Sequence, residues 1–452
     1  MIAPENHSPI SVDLVIDARW IIPVEPDNTV LEHHSLIVKS GRIHDLLPTS
    51  KAVTRYAGAE HRSLKNHVLL PGLVNLHTHA AMTLLRGYAD DLHLMEWLQD
   101  HIWPAEAHHM SPDFVHDGTL LACWEMLRGG ITCFNDMYFF PEDAARAALS
   151  VGIRAALGIT VLEFPSAYGK HAHDYLDKGL QARERLQGES LISFCLAPHA
   201  PYTVSDSTFE RIASLAADSA LPIHIHLHET MDEIAVSLEQ HGVRPLQRLQ
   251  RLGLLNHRLI AVHAIHLDDN EINLLASSGC HVAHCPTSNM KLASGIAPIS
   301  KMLAQGMTIG LGSDGAASNN RLDLFQEMRH AALLAKVAGH DSALLPTHQA
   351  LRIATLEGAR ALGLGHEIGS LEIGKAADMI AVELDDWINQ PCFAPISHLL
   401  YVTGRESISH VWVNGKSRID NKKPIDCPHD ILLKKTQMWQ NALSSQSTLT
   451  RK

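Results

Sequence analysis

Two histidines separated by one residue follow an apolar run early in the chain. Residues 67–76 read HVLLPGLVNL, and His77, Thr78 and His79 come next. Because alternate side chains of a strand share a face, His77 and His79 point to the same side, and both imidazoles can reach one metal ion. Taken alone, the pair also fits two polar residues at the end of a strand.

Three further apolar strands end in side chains that bind metals. These strands and their terminal groups are 222–227 with His226 and, three residues later, Glu229; 261–263 with His263; and 307–314 with Asp314. Imidazole and carboxylate together suit a divalent ion such as zinc, and three or four protein ligands with one open position are typical of a catalytic site. The set of strand ends therefore favours a catalytic metal centre.

Length and charge restrict the class of protein. The chain has 452 residues, of which 46% are hydrophobic, enough for a large core and for more than one domain. Its formal net charge is −12, and lysine and arginine are spread along the chain without a basic stripe. The composition argues against binding to a nucleic acid polymer.

The cysteines and the chain start point to a cytoplasmic protein. The seven cysteines are scattered and never form a CxxC pair, which fits a reducing cytosol and excludes a cysteine-built zinc finger. Residues 1–6 (MIAPEN) do not resemble the start of a secretory signal, and no apolar run approaches the length of a membrane span. We expect that the protein does not bind a membrane. The 32 histidines alone identify no site.

The pattern of elements differs between the ends and the middle of the chain. Short strands and turns occupy about Val12 to His67, and strand-like runs return near the other end, where Asn414-Gly415 predicts a tight hairpin. Between about Val68 and Gly365, apolar strands alternate with helical stretches, which predicts an α/β fold of the (β/α)8 TIM-barrel type. A doubly wound open sheet is the alternative, but no glycine-rich phosphate loop follows the first strand.

Three motifs resemble those of the amidohydrolase superfamily. They are 71–79 (PGLVNLHTH), 310–315 (GLGSDG) and 368–378 (IGSLEIGKAAD), and the similarity extends over roughly Asp13 to Ile419. The resemblance implies a metal-bearing barrel and a small composite β-sandwich built from both termini. The expected division is 1–67 with 366–425 for the sandwich, 68–365 for the barrel, and 426–452 for a C-terminal helix and polar tail.

The resemblance also implies how many metal ions are bound. Two-metal members carry a bridging lysine on the fourth barrel strand, whereas here residues 191–199 (LISFCLAPH) contain no lysine. One divalent ion, zinc or iron, is therefore expected. By resemblance its ligands are His77, His79, His226 and Asp314, and the groups around its water are Glu229, His263 and Asp314.

A narrower resemblance concerns the substrate. Residues 197–203 (APHAPYT), 226–230 (HLHET), 284–292 (HCPTSNMKL) and 314–320 (DGAASNN) are similar to the 5′-methylthioadenosine/S-adenosylhomocysteine deaminases. The contacts that this implies are Glu106 with the ribose hydroxyls, His199 with the purine, Trp97 as a pocket wall, Ser318 as a further contact, and Arg154 with the homocysteine carboxylate. The implied small-molecule partner is a purine nucleoside, and the implied assembly is a homo-oligomer.

In the implied mechanism, Asp314 takes a proton from the attacking water and Glu229 protonates the ring nitrogen, while His263 orients the attacking oxygen. Guanine or cytosine deamination and triazine dechlorination are rival reactions on the same barrel, and a non-catalytic scaffold is a further alternative. Only Glu106, as a ribose ligand, favours a nucleoside over a free base.

Overall fold

The structure is a computed structural model that describes residues 11–447. These residues form two eight-stranded sheets. In chain order the strands are β1 (Leu14–Ile21), β2 (Leu31–Lys39), β3 (Arg42–Pro48), β4 (His61–Pro71), β5 (Leu73–Thr78), β6 (Ile131–Asp136), β7 (Arg154–Val161), β8 (Ile192–Pro198), β9 (Ile223–Leu227), β10 (Leu259–His263), β11 (His281–His284), β12 (Thr308–Leu311), β13 (Met379–Glu383), β14 (Ile408–Val413), β15 (Lys416–Asp420) and β16 (Lys423–Pro424).

The sheet of β5 to β12 is the predicted parallel barrel. Its strands pair in chain order, and every pairing is parallel. The ring closes where the Asp314 amide, just beyond β12, donates to the His77 carbonyl in β5 at 3.0 Å. All residues of β5, β6 and β7 are buried, because helices cover a parallel sheet from outside and side chains fill it from inside.

Helices connect the barrel strands and complete both ends of the chain. The α-helices are Thr49–Arg55, Leu94–Glu96, Trp103–His109, Pro112–Arg128, Pro141–Val151, Ala172–Arg185, Asp206–Ser219, Met231–His241, Pro245–Arg251, Asp269–Ser277, Pro286–Lys291, Ile299–Ala304, Leu324–Gly339, Thr347–Ile353, Leu356–Ala361, Pro395–Tyr401 and His429–Ser447. Ala80–Leu85, Trp387–Asn389 and Arg405–Ser407 are 3₁₀ helices, and Trp97–Ile102 is a π-helical turn.

The second sheet joins the two ends of the chain. Its order is β16-β15-β14-β13-β4-β1-β2-β3, so the N-terminal strands meet the C-terminal ones where β4 pairs with β13. The strands are hydrogen-bonded as one continuous sheet, and its two halves share an apolar core that includes Ile16, Val38, Met379 and Trp412. The predicted hairpin is confirmed, because Asn414 and Gly415 both have positive φ, 51° and 73°, between β14 and β15.

The apolar run that precedes the two histidines is two strands rather than one. Residues 68–71 end β4 and pair with β1 and β13, whereas the barrel begins at Leu73. The break falls at Gly72, where a side chain would place its Cβ 2.0 Å from the Thr132 hydroxyl. The sheet therefore gives way to the barrel at Gly72, not at the predicted 67/68 boundary.

Residues 347–361 do not form one continuous helix. They form the helices Thr347–Ile353 and Leu356–Ala361, separated at Thr355, whose hydroxyl donates to the Leu351 carbonyl at 2.7 Å. A threonine hydroxyl that bonds back to the preceding turn bends or ends a helix. Near the chain end, the predicted C-terminal helix is present as His429–Ser447, and the remainder of the expected tail lies outside the described residues.

Arg154 does not lie where the resemblance placed it. It is the first residue of β7, at the amino end of the barrel strand, and its guanidinium pairs with Asp378 at 3.1 Å. The same guanidinium donates to the Ser190 carbonyl at 3.1 Å, and Asp378 also accepts from the Asn414 amide at 2.7 Å. Arg154 therefore ties the barrel floor to the second sheet, and its assignment as a ligand for the homocysteine carboxylate is wrong.

We expect the variant Arg154→Met to lower the free energy of unfolding by about 3–5 kcal/mol, because it leaves the buried Asp378 carboxylate without its counter-ion. Adding Asp378→Asn should recover most of the loss, since the amide oxygen still accepts from Asn414 and no buried charge remains. Urea denaturation of both variants measures the difference. Equal stability of Arg154→Met and wild type would show that the pair contributes nothing.

Within residues 11–447, none of the helices combines the length and the apolar character needed to cross a bilayer.

Candidate active site

The side chains singled out in the sequence meet at the carboxyl ends of the barrel strands. His77 lies in β5 and His79 directly after it; His226 is in β9; His263 ends β10; and Asp314 follows β12. Catalytic side chains of parallel barrels come from this end, because the strands all run in one direction and the loops after them converge. Four separate stretches of sequence thus supply one cluster.

Four ring and carboxylate atoms approach one another closely. His77 Nε2 lies 3.2 Å from Asp314 Oδ1, and His79 Nε2 lies 3.3 Å from the same oxygen. His226 Nε2 is 3.3 Å from His77 Nε2. Ligand bonds of about 2.0–2.1 Å in a tetrahedral zinc site leave neighbouring ligand atoms about 3.3 Å apart, so these separations fit one shared ion.

The hydrogen bonds behind the rings set their tautomers. His79 Nδ1 is 2.7 Å from the Met137 carbonyl, and His226 Nδ1 is 2.8 Å from the His199 carbonyl. A carbonyl oxygen only accepts, so both Nδ1 atoms carry a hydrogen, and the Nε2 atoms that face the cluster are the ones able to bind a metal ion. His77 Nδ1 faces His224 Nε2 at 3.0 Å, and donation along this contact gives His77 the same tautomer.

These tautomers direct lone pairs at one another across 3.3 Å between His77 and His226. No hydrogen bond can form between two such nitrogens, whereas a cation shared by them makes both contacts favourable. The donor set of three imidazoles and one carboxylate matches the ligand preferences of zinc. The arrangement therefore fits a divalent metal ion.

The electrostatics of the cluster are consistent with that fit. Burial lowers the pKa of His77 to about 4 and holds that of His226 well below its usual value, so both rings are neutral and able to ligate at neutral pH. Burial also opposes charge on His79, but the Asp314 carboxylate overcomes it and raises the pKa of His79 to about 9. Burial would raise the pKa of Asp314, yet the adjacent His77 and His79 rings hold it well below its usual value. The carboxylate thus stabilises positive charge at this point.

Among the described residues, two overlapping groups have ligand atoms that all lie within 4.8 Å of one another. One group is His77, His79 and His226, and the other is His77, His263 and Asp314. All four ligands expected from the sequence appear in these groups. The second group adds His263, which sequence reasoning assigned to the attacking oxygen instead.

Glu229 and His263 stand beside the cluster. His263 Nε2 lies 3.8 Å from Glu229 Oε2, and His263 Nδ1 is 2.8 Å from the Asn289 side-chain oxygen. Glu233, four residues later, accepts from the His228 and Glu229 amides at 2.8 and 2.9 Å and so fixes the backbone that carries Glu229. Burial raises the pKa of Glu229, so its protonated form persists to higher pH than that of an exposed glutamate.

A cavity of about 320 Å³ opens onto this cluster. Its walls come from the loops after the barrel strands and from the helical segment 94–109. The predicted site residues that line it are His79, Trp97, Glu106, His199, His226, Glu229, His263, Asp314 and Ser318. A concave, mostly apolar pocket with a few convergent polar groups is the usual form of a small-molecule site.

Glu106 is a carboxylate of this cavity that belongs to neither group of metal-binding side chains. Its Oε1 accepts from the Tyr138 hydroxyl at 2.6 Å, and burial raises its pKa. His199 also lines the cavity, and its Nδ1 is 3.2 Å from the Thr203 hydroxyl. Burial lowers the pKa of His199 to about 3, so this ring is neutral and offers one donor and one acceptor.

Sequence reasoning gave no role to four residues that hold the site together. His224 contacts His77, Ser288 donates to Asp314 Oδ2 at 2.6 Å, Asn289 contacts His263, and Tyr138 donates to Glu106. A signal existed for His224, which shares a strand face with His226. Ser288 and Asn289 fall in the 284–292 motif, whereas Tyr138 follows β6 without any motif.

A parallel (β/α)8 barrel with imidazole and carboxylate ligands gathered at its strand ends defines the metal-dependent hydrolases built on this fold. The chain belongs to the amidohydrolase family, whose family model matches residues 68–418.

Several known proteins resemble the whole chain. A 5-methylthioadenosine/S-adenosylhomocysteine deaminase of Saccharophagus degradans is 44% identical over 441 residues, 98% of both chains. The crystal structure of an adenosine deaminase from Xanthomonas campestris with bound zinc is 46% identical, with a TM-score of 0.95 over 97% of this chain and 100% of that one. The zinc complex of an atrazine chlorohydrolase from Arthrobacter aurescens has a TM-score of 0.88 over 94% of this chain and 100% of that one, but at 23% identity it shows only the shared fold.

Proposed function

We propose that this chain hydrolyses the amino group from the adenine ring of 5′-methylthioadenosine and related adenine nucleosides, releasing ammonia. The observation that carries the proposal is the pairing, in one cavity, of the His/Asp cluster with the buried Glu106 carboxylate. The first group suits attack on a ring carbon, and the second suits recognition of a ribose. The names of the deaminases in the comparison agree with this combination.

The metal ion is proposed to be a single zinc, with iron as the alternative; zinc is the metal bound in the Xanthomonas campestris structure. His77, His79, His226 and Asp314 would hold it. When bound, such an ion lowers the pKa of a water molecule to about 7 and so provides a nucleophile at neutral pH.

The remaining steps are proton transfers by side chains of this chain. Asp314 accepts the proton of the attacking water, and its depressed pKa keeps it ionised for that purpose. Glu229, whose pKa is raised by burial, donates a proton to the ring nitrogen. As the C–N bond breaks, the proton held by Asp314 passes to the departing amino group, and the hydroxyl proton of the tetrahedral intermediate returns to Glu229, so that ammonia leaves and both carboxyl groups regain their starting states. His263 donates to or accepts from the attacking oxygen and lies next to both carboxylates.

Glu106 is proposed to select a nucleoside over a free base. Its free oxygen lone pairs suit two neighbouring hydroxyl donors, as the 2′ and 3′ hydroxyls of a ribose provide. With a free base bound, this buried carboxylate keeps only the Tyr138 bond. An unsatisfied buried polar group costs about 1–3 kcal/mol, and more when it is charged, which corresponds to roughly tenfold discrimination or greater.

We therefore expect 5′-methylthioadenosine to be deaminated with kcat/KM at least about tenfold above that of adenine, guanine or cytosine. Glu106→Ala should reduce kcat/KM for the nucleoside far more than for any free base, because the alanine variant has no carboxylate to leave unpaired. Ultraviolet difference spectra follow the reaction for each purine. Glu96→Ala, an exposed glutamate in the same segment, is the matched control.

A free base or a chlorotriazine processed as well as the nucleoside would contradict the substrate assignment and leave the metal chemistry standing. An equal loss for nucleoside and base in Glu106→Ala would instead assign Glu106 to the fold of the pocket rather than to the ribose.

Location and assembly are carried as proposals. A cytoplasmic location is supported by the thiols, since all seven cysteines are free. A homo-oligomer is supported by the family resemblance, and size-exclusion chromatography with light scattering measures the subunit number.

A further inference from the structure

The cavity beside the metal cluster contains negative but no permanently positive side chains. Its lining in the described part of the chain includes the carboxylates Glu106, Glu229 and Asp314, and neither lysine nor arginine is among the lining residues. Histidines are the only other titratable bases there. Any ligand group that carries a negative charge would meet carboxylates and apolar surface.

The cations in the neighbouring segments do not line the cavity. The segment after β7 contributes Leu162, Phe164, Pro165 and Ser166 to the lining. Lys178 of the helix that follows bonds to the Tyr168 carbonyl and to Asp174.

Lys291, next to another lining segment, is also engaged. Lys291 precedes the lining residue Leu292, and its ammonium donates to Asp90 at 2.6 Å and to the Asn320 side chain at 2.5 Å. Arg154 pairs with Asp378 at the amino end of its strand. None of these cations is free to meet a carboxylate on a ligand.

The wall beyond Glu106 is apolar and aromatic. Trp103 and Met110 line the cavity about one helical turn before and after Glu106, and the Trp103 and Phe164 rings lie 6.4 Å apart. Phe164 is 42% exposed, which places it at the mouth. Thioether sulfur makes favourable contacts with the edges of aromatic rings, so this wall suits an alkylthio group.

We propose that this wall selects adenine nucleosides with a short, uncharged 5′ substituent and disfavours the zwitterionic amino-acid tail of S-adenosylhomocysteine. The inference rests on the proposed function and narrows its substrate class. With the base at the metal cluster and the ribose at Glu106, the 5′ substituent extends along Trp103 and Phe164. There a neutral thioether is buried against apolar atoms, whereas a carboxylate loses hydration without gaining a counter-ion.

Three nucleosides distinguish the effect of the charge of the 5′ substituent from the effect of its length. These are 5′-methylthioadenosine, 5′-butylthioadenosine and S-adenosylhomocysteine, of which the second has a long but uncharged tail. We expect kcat/KM for the two neutral thioethers to agree within a few-fold and to exceed that for S-adenosylhomocysteine by at least about tenfold, since an uncompensated charge is disfavoured more than a neutral polar group.

A cation introduced at the mouth should reverse the selection. Phe164→Arg should raise the ratio of kcat/KM for S-adenosylhomocysteine to that for 5′-methylthioadenosine by about tenfold, because an arginine fork pairs with a carboxylate. Phe164→Met, an unbranched side chain without charge, is the matched control and should leave this ratio near the wild-type value. Because a general effect of the substitution changes both kcat/KM values alike, their ratio reports only how the 5′ substituent is recognised.

Comparable activity of the wild-type protein on S-adenosylhomocysteine and 5′-methylthioadenosine would overturn the inference. Equally poor activity on the butylthio nucleoside and S-adenosylhomocysteine would also overturn it, since length rather than charge would then set the limit. If none of the three nucleosides were deaminated, the proposed function itself would fail, which is a different outcome from the other two.

Discussion

We expect the variant Glu229→Gln to lower kcat by about 10² or more while the protein keeps its fold and its metal content, because general acid–base groups contribute about 10²–10⁴ in rate. Glutamine preserves the shape of the side chain and removes the transferable proton. Glu229 is buried beside His263, and its backbone is fixed by Glu233, so the variant alters chemistry rather than placement. Steady-state kinetics and metal analysis of the same preparation measure the effect.

Glu239→Gln is the matched control for this substitution. Glu239 lies in the helix Met231–His241 that follows Glu229, but it is exposed and does not line the cavity. It should keep wild-type kcat. If Glu229→Gln also retained near-normal kcat, proton delivery would have to be assigned to His263 or to water.

Replacing Asp314 with asparagine is expected to remove most of the bound metal and to lower kcat/KM by about 10³ or more, within the range for losing a general base. Asp314 Oδ1 lies 3.2–3.3 Å from two of the three ligand histidines, and Oδ2 accepts from Ser288. An asparagine cannot supply a negative charge to both contacts. The variant is therefore expected to lose metal affinity, for an electrostatic reason, as well as the catalytic base.

The measurement is the number of divalent ions per chain by elemental analysis, followed by kinetics with zinc added back. Wild type should hold about one ion, the number expected of a site with an open water position. The exposed Asp385→Asn provides the control. Two tightly bound ions in wild type would contradict the single-metal assignment, and a metal-replete, fully active Asp314→Asn would remove Asp314 from the site.

The sequence predicted well which side chains lie at the ends of the barrel strands. His77 and His79 alternate within a strand pattern, and Asp314 closes another short apolar strand, so local spacing alone indicates which face and which end they occupy. The parallel barrel then brings distant strand ends together without further information. The three histidines and the aspartate are gathered as expected for this reason.

Features that depend on the residue at which a strand begins or ends were harder to predict. The run 67–76 is apolar on both sides of Gly72, because β4 is buried in the second sheet and β5 in the barrel, and no change of period marks the junction. Arg154 was misplaced for the same reason. Whether a residue begins or ends a buried strand decides which mouth of the barrel it faces, and composition does not reveal that.

Side-chain contacts between segments that are far apart in the chain were the hardest to predict from the sequence. The Tyr138 bond to Glu106 joins residues 32 positions apart, and Ser288 reaches Asp314 across 26 positions. Each is set by how one loop packs on another at the barrel mouth. Tyr138 occupies one acceptor position of Glu106, and Ser288 sets the orientation of Asp314. Both partners become visible only once the loops are placed.

The most direct test of the proposed deamination is to incubate the metal-replete protein with 5′-methylthioadenosine and identify both products. We expect 5′-methylthioinosine and ammonia in equal amounts, with oxygen from solvent water incorporated into the purine and with no reaction after the metal has been removed. Full turnover by the metal-free protein, or a nucleoside left unchanged while a free base or a chlorotriazine is hydrolysed, would contradict it.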